Sequence, residues 1–203
     1  MAYTHFFRRD AILDPASFSL AVQDISLLRS NLAPLGVILS GPTGDGKPEI
    51  NDFTIAFNGP RNCGHPYMDL GKPYPSPQAS GVMTMENPIA DGPPYISGPY
   101  LNTRACGGNC AADPLVVDQK YMQRVWERPD DQGRFLVIVQ TYFKPYDLMV
   151  TASLVRLKER LGEQIQITSD GNEKGFEDAK RICRELFGFP ARFELLPADS
   201  PNV

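Results

Sequence analysis

The chain has no long apolar run. Its best strand-like stretch, Phe135 to Val139, is five residues, against the roughly 20 that a membrane-spanning helix needs. The N-terminal residues MAYTHFFRRDAILD put their arginines after the aromatic pair and lack an apolar core, so they do not read as a signal peptide. The expectation is a cytoplasmic protein with no membrane partner. Excess positive charge is missing too: 20 Lys and Arg face 24 Asp and Glu, a net charge of −4. Nucleic acid is therefore not an expected partner, because phosphate backbones call for a basic face. The cations alternate with acids, as in Lys158-Glu159-Arg160, in the manner of solvated helix faces. Cysteine is limited to four residues, histidine to two and tryptophan to one. In a reducing compartment such scarce thiols read as metal ligands, core residues or nucleophiles before disulfides. What remains is ordinary: 42% hydrophobic and 22% charged residues in 203, which fits one soluble domain, 1–203, with a large insertion.

Three of the four cysteines fall with one histidine into a tight pattern, Cys63-Gly-His65 and then Cys106-Gly-Gly-Asn-Cys110. Zinc takes four tetrahedral thiolate or imidazole ligands, and Cys-x3-Cys lies within the usual ligand spacing. Cys-x-His is tighter than usual. Cys63, His65, Cys106 and Cys110 are thus candidate ligands of a structural zinc. Core thiols, a disulfide, and a nucleophilic Cys106 or Cys110 with His65 as base are the other readings. The set sits in an irregular stretch, residues 59–114, with nine prolines between Pro60 and Pro99. Four Pro-Tyr pairs, at Tyr67, Tyr74, Tyr95 and Tyr100, suggest a loop ordered by tyrosine packing, since disorder usually goes with few aromatics and many charges.

Around that insertion, patterning predicts regular elements. A helix is expected over 14–32, with Asp14 as N-cap, Pro15 at the first position and Phe18, Val22, Ile25 and Leu28 on one face. Strands are expected at Gly36–Ser40 and Phe53–Phe57. Leu115–Arg128 reads as weakly helical or extended. Phe135–Gln140 is the best strand and is expected to be central. A helix over 147–161 stops at Gly162. A strand over 164–168, a helix over 173–187 ended by Gly188, and a short strand over 192–195 complete the pattern. Cys183 falls on the apolar stripe of the last helix and reads as a buried thiol. The fold class is α/β or α+β: a mixed sheet with an N-terminal helix and hairpin, a C-terminal β-α-β-α unit with parallel neighbours, and the Pro/Gly-rich insertion.

Residues 41–48, GPTGDGKP, nearly match the phosphate-binding loop Gly-x4-Gly-Lys-Ser/Thr. Pro48 replaces the hydroxyl residue that would hold magnesium, and no helix is predicted to follow. A glycine-rich hairpin turn is the expectation, with no nucleotide.

The stretch Gln140 to Asn172 resembles a family of uncharacterised proteins common in bacteriophage and bacterial genomes. The resemblance is carried by Thr141, Lys144, Pro145, Tyr146 and Asp147, by Ser169-Asp170-Gly171, and upstream by Phe57-Asn58-Gly59. The chain departs from the family pattern at Tyr142-Phe143 and Thr168, and the cysteine-bearing insertion has no match in it. The resemblance implies the fold and a bacterial or phage-infected host cell, and it implies no activity.

In an open sheet, ligands bind beyond the C-terminal ends of parallel strands. Lys144, Tyr146, Asp147, Ser169 and Asp170 would share such a rim, and His65 could approach it. Helix capping by Asp147, a turn at 169–171 and a Lys144–Asp170 pair are the structural readings of the same residues. His5 reads as a surface or packing residue. The favoured function is a non-catalytic module, its loop stapled by zinc, that binds a protein or small ligand. The alternatives are a hydrolase or transferase using the rim, and a viral structural component.

Overall fold

The computed structural model describes residues 3–63, 108–170, 174–188 and 195. The first strand is one that patterning did not assign. Tyr3, His5 and Phe7 alternate with Thr4 and Phe6, and β1 (Thr4–Arg9) turns His5, Phe7 and Arg9 inward. The burial of a terminal arginine explains why the segment does not look like a strand. The Arg9 guanidinium donates to the carbonyls of Asp118, Gln119 and Asp10, and burial pulls its pKa down to about 10.

β1 lies in the middle of a sheet of order β5-β1-β6, where β5 is Phe135–Gln140 and β6 is Ile165–Ser169. It is antiparallel to both neighbours, with Thr4 opposite Gln140 and His5 opposite Ser169. Strands β5 and β6 therefore point the same way without touching, and the expected parallel pair is split by β1. β5 is an edge strand rather than a central one, and Ile138 on its outer face is 52% exposed. The second sheet, β2-β3-β4, joins Glu49–Asn51, Thr54–Phe57 and Leu115–Asp118, again antiparallel. The class is α+β, with helices packed on two small sheets.

The second sheet corrects the reading of residues 36–57. Gly36–Ser40 contributes one isolated bridge, Ser40 to Asn58, and the hairpin turn falls at Asp52-Phe53. Asn51 makes that turn by accepting from the Phe53 and Thr54 amides through its side chain. GPTGDGKP is a separate loop, closed by the Gly41 amide on the carbonyls of Asp45 and Gly46. It runs into β2 and not into a helix, so it lacks the helix N-terminus that a phosphate-binding loop requires.

The helices follow the expected spans. α1 is Pro15–Leu32, capped by the Asp14 carboxylate, which accepts from the Ser17 amide at 2.8 Å. α2 is Asp147–Leu161 and α3 is Lys174–Phe187. α2 lies between α1, α3 and the first sheet and is buried nearly all round. One apolar cluster draws on all three helices and both sheets. Cys183 belongs to it, and burial pushes its thiol up to about 12. The expected strand at 192–195 lies outside the described residues except for Leu195, which packs on the same cluster. Among the described residues no helix is long and apolar enough to cross a membrane.

Where α1 crosses α2 the interface carries charge. Asp24 accepts from Arg156 at 2.6 and 3.0 Å and from Arg160 at 2.7 and 3.1 Å, and Arg156 also stacks on Phe187 at 4.1 Å. Removing the acid leaves a buried guanidinium uncompensated. Asp24→Ala is therefore expected to lower unfolding free energy by about 3 kcal/mol, read by urea denaturation, whereas Glu163→Ala, at the exposed Lys158 pair, costs under about 1 kcal/mol.

Candidate functional site at the strand ends

The antiparallel insertion of β1 sets its first residues beside the last residues of β5 and β6. That register places the His5 imidazole between the two chain segments leaving those strands. Its Nε2 lies 2.8 Å from Asp147 Oδ1 and its Nδ1 lies 3.2 Å from Ser169 Oγ. Thr141, the residue after β5, donates its hydroxyl to the same Asp147 oxygen at 2.6 Å. His5, Asp147 and Thr141 are fully buried and Ser169 nearly so. Two rings enclose the imidazole: Tyr3 meets it edge-on at 4.6 Å, and so does Phe176 of α3 at 5.3 Å.

A serine, a histidine and an aspartate in sequence invite comparison with a nucleophilic triad. Two features set this chain apart. The Ser169 hydroxyl also reaches the Thr4 carbonyl at 3.0 Å, closer than the imidazole, so its single hydrogen has an acceptor within β1 itself. As placed among the described residues, His5, Thr141 and Asp147 are fully buried and Ser169 is 5% exposed, so the serine oxygen is turned into the protein. The group binds three strand ends together as a polar clip inside an apolar shell.

The segment between β5 and α2 is strained to make the clip. Tyr142 and Phe143 both sit at φ 54°, a conformation that costs a non-glycine residue on the order of 1 kcal/mol or more. Two contacts offset that cost. Phe143 stacks on Tyr3 with centroids 3.6 Å apart, and the Thr141 amide donates to the Tyr3 carbonyl at 2.8 Å. On the far side, Tyr3 approaches Gly175 so closely that an added Cβ would lie 3.0 Å from Tyr3 Cζ and nearer still to its hydroxyl. A side chain there would have to displace the Tyr3 ring.

The five expected rim residues divide. Asp147 and Ser169 meet through His5. Asp170 pins the start of β1, accepting from the Thr4 amide at 2.8 Å and donating its own amide to the Thr4 carbonyl. Tyr146 and Lys144 turn the other way, toward residues 111–113: the Tyr146 hydroxyl donates to the Asp113 carbonyl at 2.7 Å and Lys144 Nζ to the Ala111 carbonyl. Burial, and then the charges of Asp147 and Asp113, raise the Tyr146 pKa and keep it a donor. The histidine at the rim is His5, which is fully buried and not at the surface. The period-2 run Tyr3, His5, Phe7 is a signal for the strand that carries it, though not for the pairing that brings it to the rim. His65 lies outside the described residues, as does Cys106.

The other two cysteines are described. Cys63 and Cys110 form a small buried cluster of their own, apart from the main core. Among the described residues no group of three or more His, Cys, Asp or Glu side chains is arranged to hold a metal ion. The segments carrying the two cysteines are tied by the Asn58 side chain, which donates to the Ala112 carbonyl at 2.7 Å and accepts from its amide at 3.1 Å. The chain matches no family model, no curated protein and no solved structure, and function is argued from these residues alone.

If the clip holds the strand ends, Asp147→Ala strips partners from His5 and Thr141 at once. It is expected to cost about 3 kcal/mol of stability in denaturant unfolding. Gly175→Ala is expected to cost about 1–3 kcal/mol by driving Tyr3 off its stack, with a matching change in tyrosine near-ultraviolet dichroism.

Proposed function

We propose that the protein is a non-catalytic module that docks a protein partner through the end of the molecule opposite the strand-end clip. One observation carries this reading. Ile12, Phe53, Met122, Val125 and Trp126 are large apolar residues, each more than half exposed, and the last four range from 73% to 88%. The segments that carry them are bonded to one another: Ile12 bridges Lys120, the Gln119 amide donates to the Phe53 carbonyl at 2.8 Å, and the Tyr121 amide to the Ala11 carbonyl at 2.7 Å. A single exposed apolar side chain is unremarkable, but a group of this size on one surface marks an interaction site.

The surroundings select the partner. Lys120, Arg124 and Arg128 are exposed in the same stretch. Its one acid, Glu127, is engaged by Arg124, accepting from the amide at 2.8 Å and lying 3.9 Å from the guanidinium. The stretch 120–128 is therefore locally basic in a chain of net charge −4, while the exposed Asp52 stands beside Phe53 at the edge of the patch. The patch suits a partner segment with apolar side chains flanked by carboxylates. Tryptophan and arginine, adjacent here with Arg124 over the Trp126 ring at 5.8 Å, are the residue types that dominate binding hot spots.

A random-peptide selection against the full chain tests this. The expected winners combine aromatic or aliphatic residues with Asp or Glu. Their affinity should fall at least about tenfold when Trp126 and Phe53 are changed to Ser, and stay unchanged for Leu20→Ser, an exposed site on α1. No enrichment, or binding indifferent to Trp126, overturns the reading. Concentration-dependent dimerisation abolished by Trp126→Ser would make the occupant a second copy instead.

A second reading, a hydrolase or transferase at the strand ends, is supported by the Ser169–His5–Asp147 chain beside two strained residues. It requires Ser169 to react with a fluorophosphonate probe in the folded protein and to lose that reaction in His5→Ala. Absence of labelling removes it.

A further inference from the structure

We infer that Cys63 and Cys110 are a dithiol–disulfide couple that cross-links the two segments on which they stand. Among the described residues the two side chains form one buried cluster, separate from the main core, although they lie 47 positions apart in the chain. The backbone around them is already fixed. The Cys110 amide donates to the Pro60 carbonyl at 3.0 Å, and Asn58 clasps both backbone groups of Ala112. At Gly59 the backbones come so close that an added Cβ would stand 2.7 Å from the Cys110 carbonyl carbon and 2.9 Å from its Cβ. The Ser40 hydroxyl holds the same strand by donating to the Gly59 carbonyl at 2.8 Å. Two thiols brought together by an already paired backbone lose little further freedom on bonding, which lowers the entropic cost of closing a disulfide between them. Cys183 stands apart as an inert thiol, its pKa raised to about 12 by burial.

The oxidant is a small-molecule disulfide of the glutathione type. Cys63, 6% exposed against 1% for Cys110, is assigned the first attack. Its thiolate attacks one sulfur, a mixed disulfide forms, and one glutathione thiolate leaves. The Cys110 thiolate then attacks the Cys63 sulfur and expels the second glutathione thiolate. Two protein thiols are oxidised, one glutathione disulfide is reduced to two thiols, and the two protons pass to the leaving groups. This couple is independent of the docking reading above, because Cys63 and Cys110 lie outside the exposed apolar end.

The test is the intact full-length chain equilibrated over a range of oxidised-to-reduced glutathione ratios, acid-quenched, alkylated and mapped by mass spectrometry. The expected result is loss of two hydrogens and a single cross-linked peptide joining Cys63 to Cys110. It should persist in Cys106→Ser and vanish in Cys63→Ser. The oxidised form should melt roughly 5–15 °C above the reduced one. Wild type and Cys106→Ser suffice even if Cys63→Ser folds poorly. The inference is overturned if both thiols remain alkylatable throughout, if the cross-link runs through Cys106, or if one bound zinc per chain protects both thiols from oxidation.

Discussion

One imidazole ties together segments separated by 142 and 164 positions. His5 stands between Asp147 at the head of α2 and Ser169 at the end of β6, and it does so only because β1 runs antiparallel between β5 and β6. Buried without partners, an imidazole, a carboxylate and two hydroxyls would each carry a desolvation cost. Matched to one another, they fix the register of the sheet, because a slip of one residue would turn His5 to the opposite face. The Tyr142-Phe143 turn, the Tyr3–Phe143 stack and the Gly175 approach all follow from holding that arrangement.

The polar clip and the apolar patch are two ends of one sheet. At the His5 end, polar groups turn inward and are satisfied by the protein itself. At the Arg9 end the chain leaves the sheet through Ile12, and the connection from β4 to β5 passes over the surface with Met122, Val125 and Trp126 outward. Arg9 anchors that connection by donating to the Asp118 and Gln119 carbonyls. The buried polar end supports the fold, and the exposed end is where the proposed partner would dock.

The helices were legible because each carries a 3.6-residue apolar stripe with a marked boundary: Asp14 and Pro15 for α1, Gly162 for α2 and Gly188 for α3. The strands were legible where apolar residues run together, as in β5, or alternate with polar ones, as in β3 and β6. β1 escaped because its inward positions include His5 and Arg9, polar residues whose burial depends on partners more than a hundred positions away. The edge position of β5 is hidden in the sequence for a related reason. A five-residue apolar run reads as doubly buried, yet Leu136 and Ile138 face outward on an edge. At the candidate site, the sequence pointed to Asp147, Ser169 and Asp170 through their place at strand ends. Which histidine joins them depended on a strand pairing that no local pattern encodes. Of the Cys/His set, Cys63 and Cys110 come together, and His65 and Cys106 lie outside the described residues.

The central claim is that the strand-end polar group is a structural clip rather than a working rim. Native-state amide hydrogen exchange tests it most directly at Thr4, Thr141 and Asp170, whose amides bond to Asp170 Oδ1, the Tyr3 carbonyl and the Thr4 carbonyl. The account predicts that all three open only with global unfolding, at the same free energy as the central amides of α2. Exchange through low-energy local opening, as expected of a mobile binding or catalytic rim, would contradict it.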